Sequence, residues 1–328
     1  MNWFACELHC HTVHSDGQFT PALLREKARE LSLDGIALTD HNTLSGFDTI
    51  AKDGQSPCVL RGIEWTTFYG HMLVMDCGEF VDWREVRPDN IDEKTREITS
   101  KGGVAGAAHP FALGSPMCTG CYWDFNVRRW DDISFMEVWS GPSPWSQPSR
   151  GRTFALWNDL LDRGCHIAGT FGRDWHSDPA AGEAFACTWL GSERAFLTGD
   201  GMAGALKNGR VCVSAGPLLT VRAVSREGDA WPGDVIPAGE ADFFFAADPD
   251  RRKELLHPRD LRPETFRLVG TGGRTVSEAP FSALPARIRI EAAPGWYRGE
   301  LWGTLGNETC LLAFTSPLYA VDNDWKEV

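Results

Sequence analysis

Residues 3–12, Trp3-Phe4-Ala5-Cys6-Glu7-Leu8-His9-Cys10-His11-Thr12, combine an apolar run with a His-x-His pair. Its mostly apolar first half, Trp3–Leu8, predicts a buried strand. In an extended chain, residues two apart point to the same side, so His9 and His11 can reach one metal ion while Cys10 faces away. A lone His-x-His is as compatible with a structural pair as with a ligand pair, so the rest of the chain must decide.

Further apolar runs of the same type follow, with amphipathic segments between them. We predict strands over Gly35–Thr39, Cys58–Ile63, His71–Asp76, Val104–Ala108, Ile133–Trp139 and Cys165–Thr170, and helices over Pro21–Leu33, Ile91–Lys101 and Thr153–Arg163. Thr20 can cap the first helix, and Pro21 suits its first position. This alternation predicts an α/β fold with a parallel sheet or barrel, whose chemistry gathers at the carboxyl ends of the strands.

After about Gly204 the residue pattern changes to short apolar runs typical of strands, separated by Gly, Pro and Asp. These runs are Val211–Ser214, Leu218–Val224, Ala241–Ala246, Thr265–Val269, Ala286–Ala292, Tyr297–Trp302 and Thr309–Phe314. They predict a small antiparallel β-sandwich. We therefore expect two domains, residues 1–203 and 204–328.

Ionisable residues follow the strands of the first domain. They are His9 and His11, Asp16, Asp40-His41, Glu64, His71, His109, and Asp174 with His176. An ionisable group costs free energy to bury without a partner, and a bound cation would supply that partner. Together these residues predict a metal site at the carboxyl ends of the strands.

Composition bounds the function. The 328 residues are 42% hydrophobic and 23% charged, with a net charge of −13, which is typical of a globular protein and unfavourable for extended nucleic-acid contacts. Ten Cys are too few for a disulfide scaffold, and we expect neither an export leader nor a membrane-spanning apolar run. We expect a cytoplasmic protein without a membrane span, acting on a small molecule, at most a small nucleotide. Its oligomeric state stays open.

The spaced motifs resemble the PHP (polymerase and histidinol phosphatase) family of metal-dependent phosphoesterases. They are Glu7-Leu8-His9-Cys10-His11-Thr12, Ser15-Asp16-Gly17, Ile36-Ala37-Leu38-Thr39-Asp40-His41, Gly62-Ile63-Glu64, Ala108-His109-Pro110, Met136-Glu137-Val138 and Asp174-Trp175-His176. The resemblance spans about residues 4–178. It implies a distorted (β/α)7 barrel with two or three divalent metals.

The second domain resembles that of the CehA/McbA-like branch of this family. The matching segments are Asn208-Gly209-Arg210, Ser214-Ala215-Gly216-Pro217, Tyr297-Arg298-Gly299-Glu300 and Thr315-Ser316-Pro317-Leu318-Tyr319. The branch more often has Asn-Pro-Ile where this chain has Ser316-Pro317-Leu318. Because the branch is linked to carbamate and ester hydrolysis, phosphate is not the only possible substrate.

The resemblance implies a role for each candidate ligand. His9, His11 and Asp174 would bind one metal, Glu64 would bridge it to a second held by His71 and His109, and Asp16, His41 and His176 would hold a third. Glu137 would accept a hydrogen bond from a ligand histidine and fix its tautomer. Asp40 would do the same, or would only hold a turn.

Mixed imidazole and carboxylate ligands suit zinc, manganese or iron, among which the sequence does not choose. The resemblance favours ester hydrolysis by a hydroxide bridging two metals, with the leaving group near the third metal or near Asp16. Arg173 would clamp a phosphate or carboxylate, or pair with Asp178 or Glu183. Trp65, Trp139 and Trp175 would line an aromatic cleft for the substrate. The alternatives are a carboxyl- or carbamate-ester hydrolase with the same site, and a binding module without catalysis.

Overall fold

The computed structural model describes residues 1–50, 56–114, 120–146, 150–179, 186–256 and 260–322. The first domain contains eight strands: β1 Asn2–Cys10, β2 Gly35–Leu38, β3 Cys58–Thr67, β4 Gly70–Met75, β5 Val104–Ala107, β6 Phe135–Ser140, β7 Ala168–Gly172 and β8 Cys187–Ser192. Its helices are α1 Pro21–Glu30, α2 Ser45–Thr49, α3 Ile91–Ser100 and α4 Arg150–Asp162, and α5 Gly199–Lys207 lies at the predicted boundary.

Helix α1 shows how local chemistry sets the elements. Thr20 is extended and its side chain accepts a hydrogen bond from the backbone N–H of Leu23, while Pro21 occupies the first turn. Leu24 and Ala28 are buried one turn apart, so the helix packs one face against β2. The helix ends at Glu30, a few residues before the predicted end.

The strands of the first domain form one continuous run in the order β8-β1-β2-β3-β4-β5-β6-β7. Neighbours are parallel from β1 to β3 and from β5 to β7, whereas β4 is antiparallel to both β3 and β5. A turn of only Phe68 and Tyr69 joins β3 to β4, and so short a connection can join only antiparallel strands.

The two ends of the β1–β7 run meet just beyond the strands. The N–H of Trp175 donates to the carbonyl of His9 (2.8 Å), and the N–H of His11 donates to the carbonyl of Trp175 (3.0 Å). The fold is thus a mixed α/β fold richer in sheet than a regular (β/α)7 repeat. A complete barrel stays a prediction.

The second domain adds eleven strands: β9 Val211–Ser214, β10 Leu218–Ser225, β11 Gly228–Ala230, β12 Val235–Pro237, β13 Gly239–Asp248, β14 Leu261–Gly270, β15 Arg274–Pro280, β16 Ala286–Ala292, β17 Gly295–Leu305, β18 Glu308–Thr315 and β19 Leu318–Val321. Strands β11, β10, β13 and β16 form an antiparallel sheet. This sheet faces the strands around β17, with Phe243 packed on Tyr297 and Phe245 packed on Phe266. The two facing sheets form a sandwich core.

The large sheet runs through both regions, because β8 pairs with β1 on one side and with β9 on the other. Strand β18 then continues the sheet from β9. The sequence did not reveal this continuity, and the boundary at residues 203 and 204 stays a prediction. His166, which precedes β7, stacks on Tyr319 of β19 with ring centroids 3.6 Å apart.

No helix in the described part of the chain is long and apolar enough to span a membrane.

Candidate metal centre

The predicted ligands converge where the parallel strands end. β1 presents His9 and His11, β3 presents Glu64, β4 begins with Gly70-His71, and His109 and Asp174 follow β5 and β7. Asp16, His41 and His176 lie on the loops beside them. All nine predicted ligands fall into small groups whose ligand atoms lie within 4.8 Å of one another: His9, His11, Glu64 and Asp174; Glu64, His71 and His109; and His11, Asp16, His41 and His176.

Glu64 joins these groups. It is fully buried, and its Oε1 lies 2.9 Å from His71 Nδ1 and 3.1 Å from His109 Nε2. Its Oε2 lies 3.2 Å from His9 Nε2 and 2.7 Å from His41 Nδ1. The carboxylate thus faces two groups at once, as expected of a bridging ligand.

Charge in the site is balanced by close contacts. Burial opposes the negative charge of Glu64, but His9 and the neighbouring imidazoles outweigh it and hold the pKa of Glu64 well below its usual range. Burial likewise opposes a charge on His9, but Glu137, Glu64 and Asp174 raise the pKa of His9 well above its usual value. Glu64 and His9 thus stabilise opposite charges on each other.

Glu137 fixes the orientation of His9. Its Oε1 lies 2.8 Å from His9 Nδ1, and its Oε2 accepts a hydrogen bond from the N–H of His109 at 2.8 Å. A carboxylate can only accept, so His9 carries a proton on Nδ1 and presents Nε2 to Glu64 and Asp174. This is the contact predicted for Glu137.

His176 is oriented in the same way. Its Nδ1 lies 2.9 Å from the carbonyl oxygen of Asp174, which can only accept, so Nδ1 carries the proton. Its Nε2 lies 3.0 Å from Asp16 Oδ1. When the His176 imidazole is neutral, His176 Nε2 and Asp16 Oδ1 both offer lone pairs. A positive charge placed between these two atoms would stabilise the contact.

A cation fits these donors. The atoms His9 Nε2, Glu64 Oε2 and Asp174 Oδ1 are buried and complete no hydrogen bond of normal geometry among the described residues, although Glu64 Oε2 lies 2.7 Å from His41 Nδ1 and Asp174 Oδ1 lies 3.0 Å from His11 Nε2. Orphaned polar atoms of this kind are costly and call for a partner. Nitrogen and carboxylate donors together suit a divalent transition metal.

Two of the candidate ligands have unusual backbone conformations. His109 has φ of 27° and Asp174 has φ of 56°, both in the left-handed region that residues with a Cβ rarely adopt. Such strain persists where the surrounding structure fixes it, and it gathers at functional sites.

The site becomes more accessible toward Asp16. The side chains of His9, His11 and Glu64 are inaccessible, whereas that of Asp174 is 36% exposed and that of Asp16 is 60% exposed. A substrate would therefore approach from the side of Asp16.

Asp40 holds a loop. It is fully buried, and its Oδ1 accepts from the N–H of Thr12 at 2.7 Å and from the hydroxyl of Ser15 at 2.8 Å. These contacts go to the loop after β1, and the two alternatives predicted for Asp40 stay predictions. Because the loop leads into Asp16, Asp40 positions a candidate ligand indirectly.

Glu7 and Thr66 were given no role from the sequence. Glu7 is fully buried, and its Oε1 accepts hydrogen bonds from the N–H groups of His9 and Arg173, both at 2.9 Å. Thr66 Oγ1 lies 2.6 Å from His41 Nδ1. Glu7 could have been found, because it precedes His9 by two residues and therefore faces the same side of β1.

The structure corrects the predicted aromatic cleft. Trp65, Trp139 and Trp175 are each only 1% exposed and belong to the hydrophobic core. Trp65 directly follows Glu64 in β3, so it points to the opposite face of the strand. These three indoles cannot line a cleft open to substrate.

Arg173 is buried beside Glu7. Its suggested partner Asp178 lies 3.2 Å from Lys27 Nζ, and Glu183 lies outside the described residues. The catalytic and substrate-binding roles of Arg173 stay predictions.

Comparison with known proteins gives the class of this region: residues 7–71 match the model of the PHP domain. That range includes His9, His11, Asp16, His41, Glu64 and His71. The remaining candidate ligands lie beyond it.

Two curated relatives carry the same name. The chain is 25% identical over 151 residues to the 5'-3' exoribonuclease Rnm of Escherichia coli, an alignment that covers 40% of this chain and 51% of the relative. It is 30% identical over 80 residues to the 5'-3' exoribonuclease Rnm of Salmonella typhimurium, covering 23% of this chain and 27% of the relative. The chain thus spans about half or less of the relatives it matches.

Two solved structures are also similar. One is a two-domain Bacteroides vulgatus protein containing a predicted PHP-like metal-dependent phosphoesterase, with 16% identity, coverage of 97% and 95% of the two chains, and a TM-score of 0.49. The other, from Bifidobacterium adolescentis, is named for metal-dependent phosphoesterase activity and shows 20% identity, coverage of 61% and 95%, and a TM-score of 0.38. Likenesses this distant carry no argument about function.

Proposed function

We propose that the protein is a metal-dependent phosphoesterase of the CehA/McbA-like branch, acting in the cytoplasm on a small-molecule ester. One observation carries this proposal: histidine and carboxylate atoms fall into overlapping groups that share Glu64 and His11, with ligand atoms within 4.8 Å of one another. The PHP domain match over residues 7–71 supports it. Phosphoester hydrolysis is favoured by closely spaced divalent cations.

His9, His11, Glu64 and Asp174 would hold one cation, Glu64, His71 and His109 a second, and Asp16, His41 and His176 a third. Zinc, manganese or iron would suit these donors. When bound, such ions act as Lewis acids toward the ester oxygens and acidify water at neutral pH.

The chain's own residues prepare this chemistry. Glu137 holds the proton of His9 on Nδ1, and the carbonyl of Asp174 holds the proton of His176 on Nδ1, so both Nε2 atoms are kept free for ligation. Asp16 is 60% exposed, more than any other of the nine candidate ligands. It lies where a leaving group would depart. The oxygen of Asp16 that ligation would leave free can receive or pass on a proton there.

A panel of substrates tests the proposal. The metal-loaded protein should release p-nitrophenol from p-nitrophenyl phosphate or bis-p-nitrophenyl phosphate, and chelation should abolish and added metal restore the activity. Faster turnover of p-nitrophenyl acetate or an aryl carbamate would instead support the ester-hydrolase alternative. A short RNA belongs in the panel because the curated relatives are named exoribonucleases; the net charge of −13 predicts weak activity on it.

A pair of Asp→Asn variants provides the control. Asp16→Asn should lower kcat at least about 100-fold, since it removes a charged group at the exposed side of the site. Asp178 is similarly exposed (61%) and pairs with Lys27, so Asp178→Asn should leave kcat within about twofold of the parent. Equal activity in all three proteins would contradict the proposed site.

A further inference from the structure

A cavity of about 500 Å³ adjoins the candidate metal centre beside the turn between β3 and β4. It is lined by Thr66, Thr67, Phe68 and Tyr69 from the hairpin and by Trp83, Arg84, Val86 and Arg87 from the segment after β4. Thr66 is shared with the centre, because its hydroxyl lies 2.6 Å from His41 Nδ1. The volume falls in the range of about 300–1,000 Å³ that small-molecule sites occupy.

The walls of this cavity are rich in aromatic groups. Phe68 is 82% exposed at the tip of the hairpin, whereas Tyr69 and Trp83 are half-buried. A large apolar ring left in water beside a candidate active site gains from covering a second apolar surface. Aromatic walls favour a planar ring, through offset or edge-to-face packing.

The cavity also carries a positive charge that no carboxylate of the described residues neutralises. Arg84 is committed to Asp82, whose two oxygens accept from its Nε and Nη2 at 2.8 Å each. Arg87 is held instead by carbonyls, since its Nη1 donates to Arg84 O (3.0 Å) and Val86 O (2.7 Å). Among the described residues, no carboxylate forms a salt bridge with Arg87, so its charge can attract an anion.

We propose that this cavity binds the leaving group of the substrate, a planar aromatic ring that bears a second anionic group, and that Arg87 binds that anion. The proposal rests on the phosphoesterase function proposed above. Phe68 packs on the ring of the leaving group. Arg87 binds a carboxylate, sulfonate or further phosphate attached to that ring. This cavity takes the place of the aromatic cleft that the sequence assigned to buried tryptophans.

Two aryl phosphates of the same shape test the role of Arg87. Phosphate release from 4-carboxyphenyl phosphate and from phenyl phosphate gives KM and kcat for the metal-loaded protein. Arg87→Gln should raise KM for the carboxylated ester about tenfold, with KM for phenyl phosphate within twofold and kcat unchanged for both. Arg129→Gln is the matched control, because Arg129 is exposed, lies outside the cavity and is paired with Asp132 at 2.9 Å, so the change should alter neither KM.

Phe68→Ala tests the contact with the ring. Its high exposure means that the substitution removes no core packing, so the variant should fold. It should raise KM for both aryl esters about three- to tenfold and leave KM for glycerol 2-phosphate unchanged. An equal effect on glycerol 2-phosphate would overturn the aromatic subsite.

Binding without turnover separates the two proposals. The dissociation constant of 4-carboxyphenyl phosphate for the metal-free protein, measured by calorimetry, should also rise about tenfold in Arg87→Gln. Absence of hydrolysis together with this loss of affinity would refute the phosphoesterase function and retain the subsite. Hydrolysis with no selective effect of Arg87→Gln on either KM or affinity would refute the subsite and retain the function.

Discussion

Replacing Glu137 by Gln tests how the centre is built. The carboxylate of Glu137 is buried, and both of its oxygens accept, one from His9 Nδ1 and one from the N–H of His109, each at 2.8 Å. An amide has only one accepting oxygen, so its NH₂ group must face one of these two donors. The loss of one buried hydrogen bond to a charged group costs about 1.5–3 kcal/mol.

The loss of this hydrogen bond should lower the affinity of the site for metal ions. At about 1.4 kcal/mol per factor of ten, it corresponds to roughly 10–100-fold in dissociation constant, the range typical for removing an outer partner of a ligand histidine. Competition with a chromophoric chelator at fixed pH measures the metal affinity of Glu137→Gln and of its parent. Glu227→Gln makes the same change in the exposed turn between β10 and β11 and should have no effect. Affinity within twofold of the parent, in a folded Glu137→Gln protein, would refute the role of Glu137.

Three further predictions concern neighbouring residues. A Cβ on Gly172 would overlap Glu137 Oε1, so Gly172→Ala should also weaken metal binding at least about tenfold in the chelator competition, without any change of charge; unchanged affinity would show that Glu137 can move freely. Asp40→Asn weakens the hydrogen bond to Thr12, so urea unfolding should show a loss of about 1–3 kcal/mol in the free energy of unfolding. No loss would mean that the loop after β1 is stable without Asp40. Burial raises the pKa of Glu7 to about 8, so the folded metal-free protein keeps a proton that the unfolded chain releases near pH 4.5. Stability from this group is complete below pH 4.5 and should be lost as pH rises through 8, by up to about 5 kcal/mol, a slope that Glu7→Gln should remove from urea unfolding measured at several pH values.

The sequence was most informative where pattern and chemistry coincide. Each apolar run of the first domain became a strand within a few residues of its predicted bounds, and the ionisable residues after these runs lie together in the structure. Such convergence is predictable because parallel strands end at the same edge of a sheet.

Pairing between distant strands could not be read from the sequence. Strand β8 follows residues 180–185, which lie outside the described part, and then inserts antiparallel beside β1. Nothing in its composition distinguishes that neighbour from any other strand. The continuity of one sheet across both regions therefore appears only in three dimensions.

The tryptophans show how strand geometry overrides sequence proximity. Trp65 follows Glu64 by one residue and so faces away from the site. Trp139 follows Glu137 by two residues and would face the same side in a regular strand, but the register of β6 against β7 shifts between these two residues. A bulge of this kind redirects a side chain, and composition alone does not reveal it.

Metal content is the most direct test of the central claim. The protein is loaded with zinc, manganese or iron, freed of excess metal by gel filtration, and measured by elemental analysis. The grouped ligands predict two or three metals per chain, and one fewer in Asp16→Asn, whose substituted side chain belongs to the most exposed group. Less than one metal per chain with every ion tried would contradict the account.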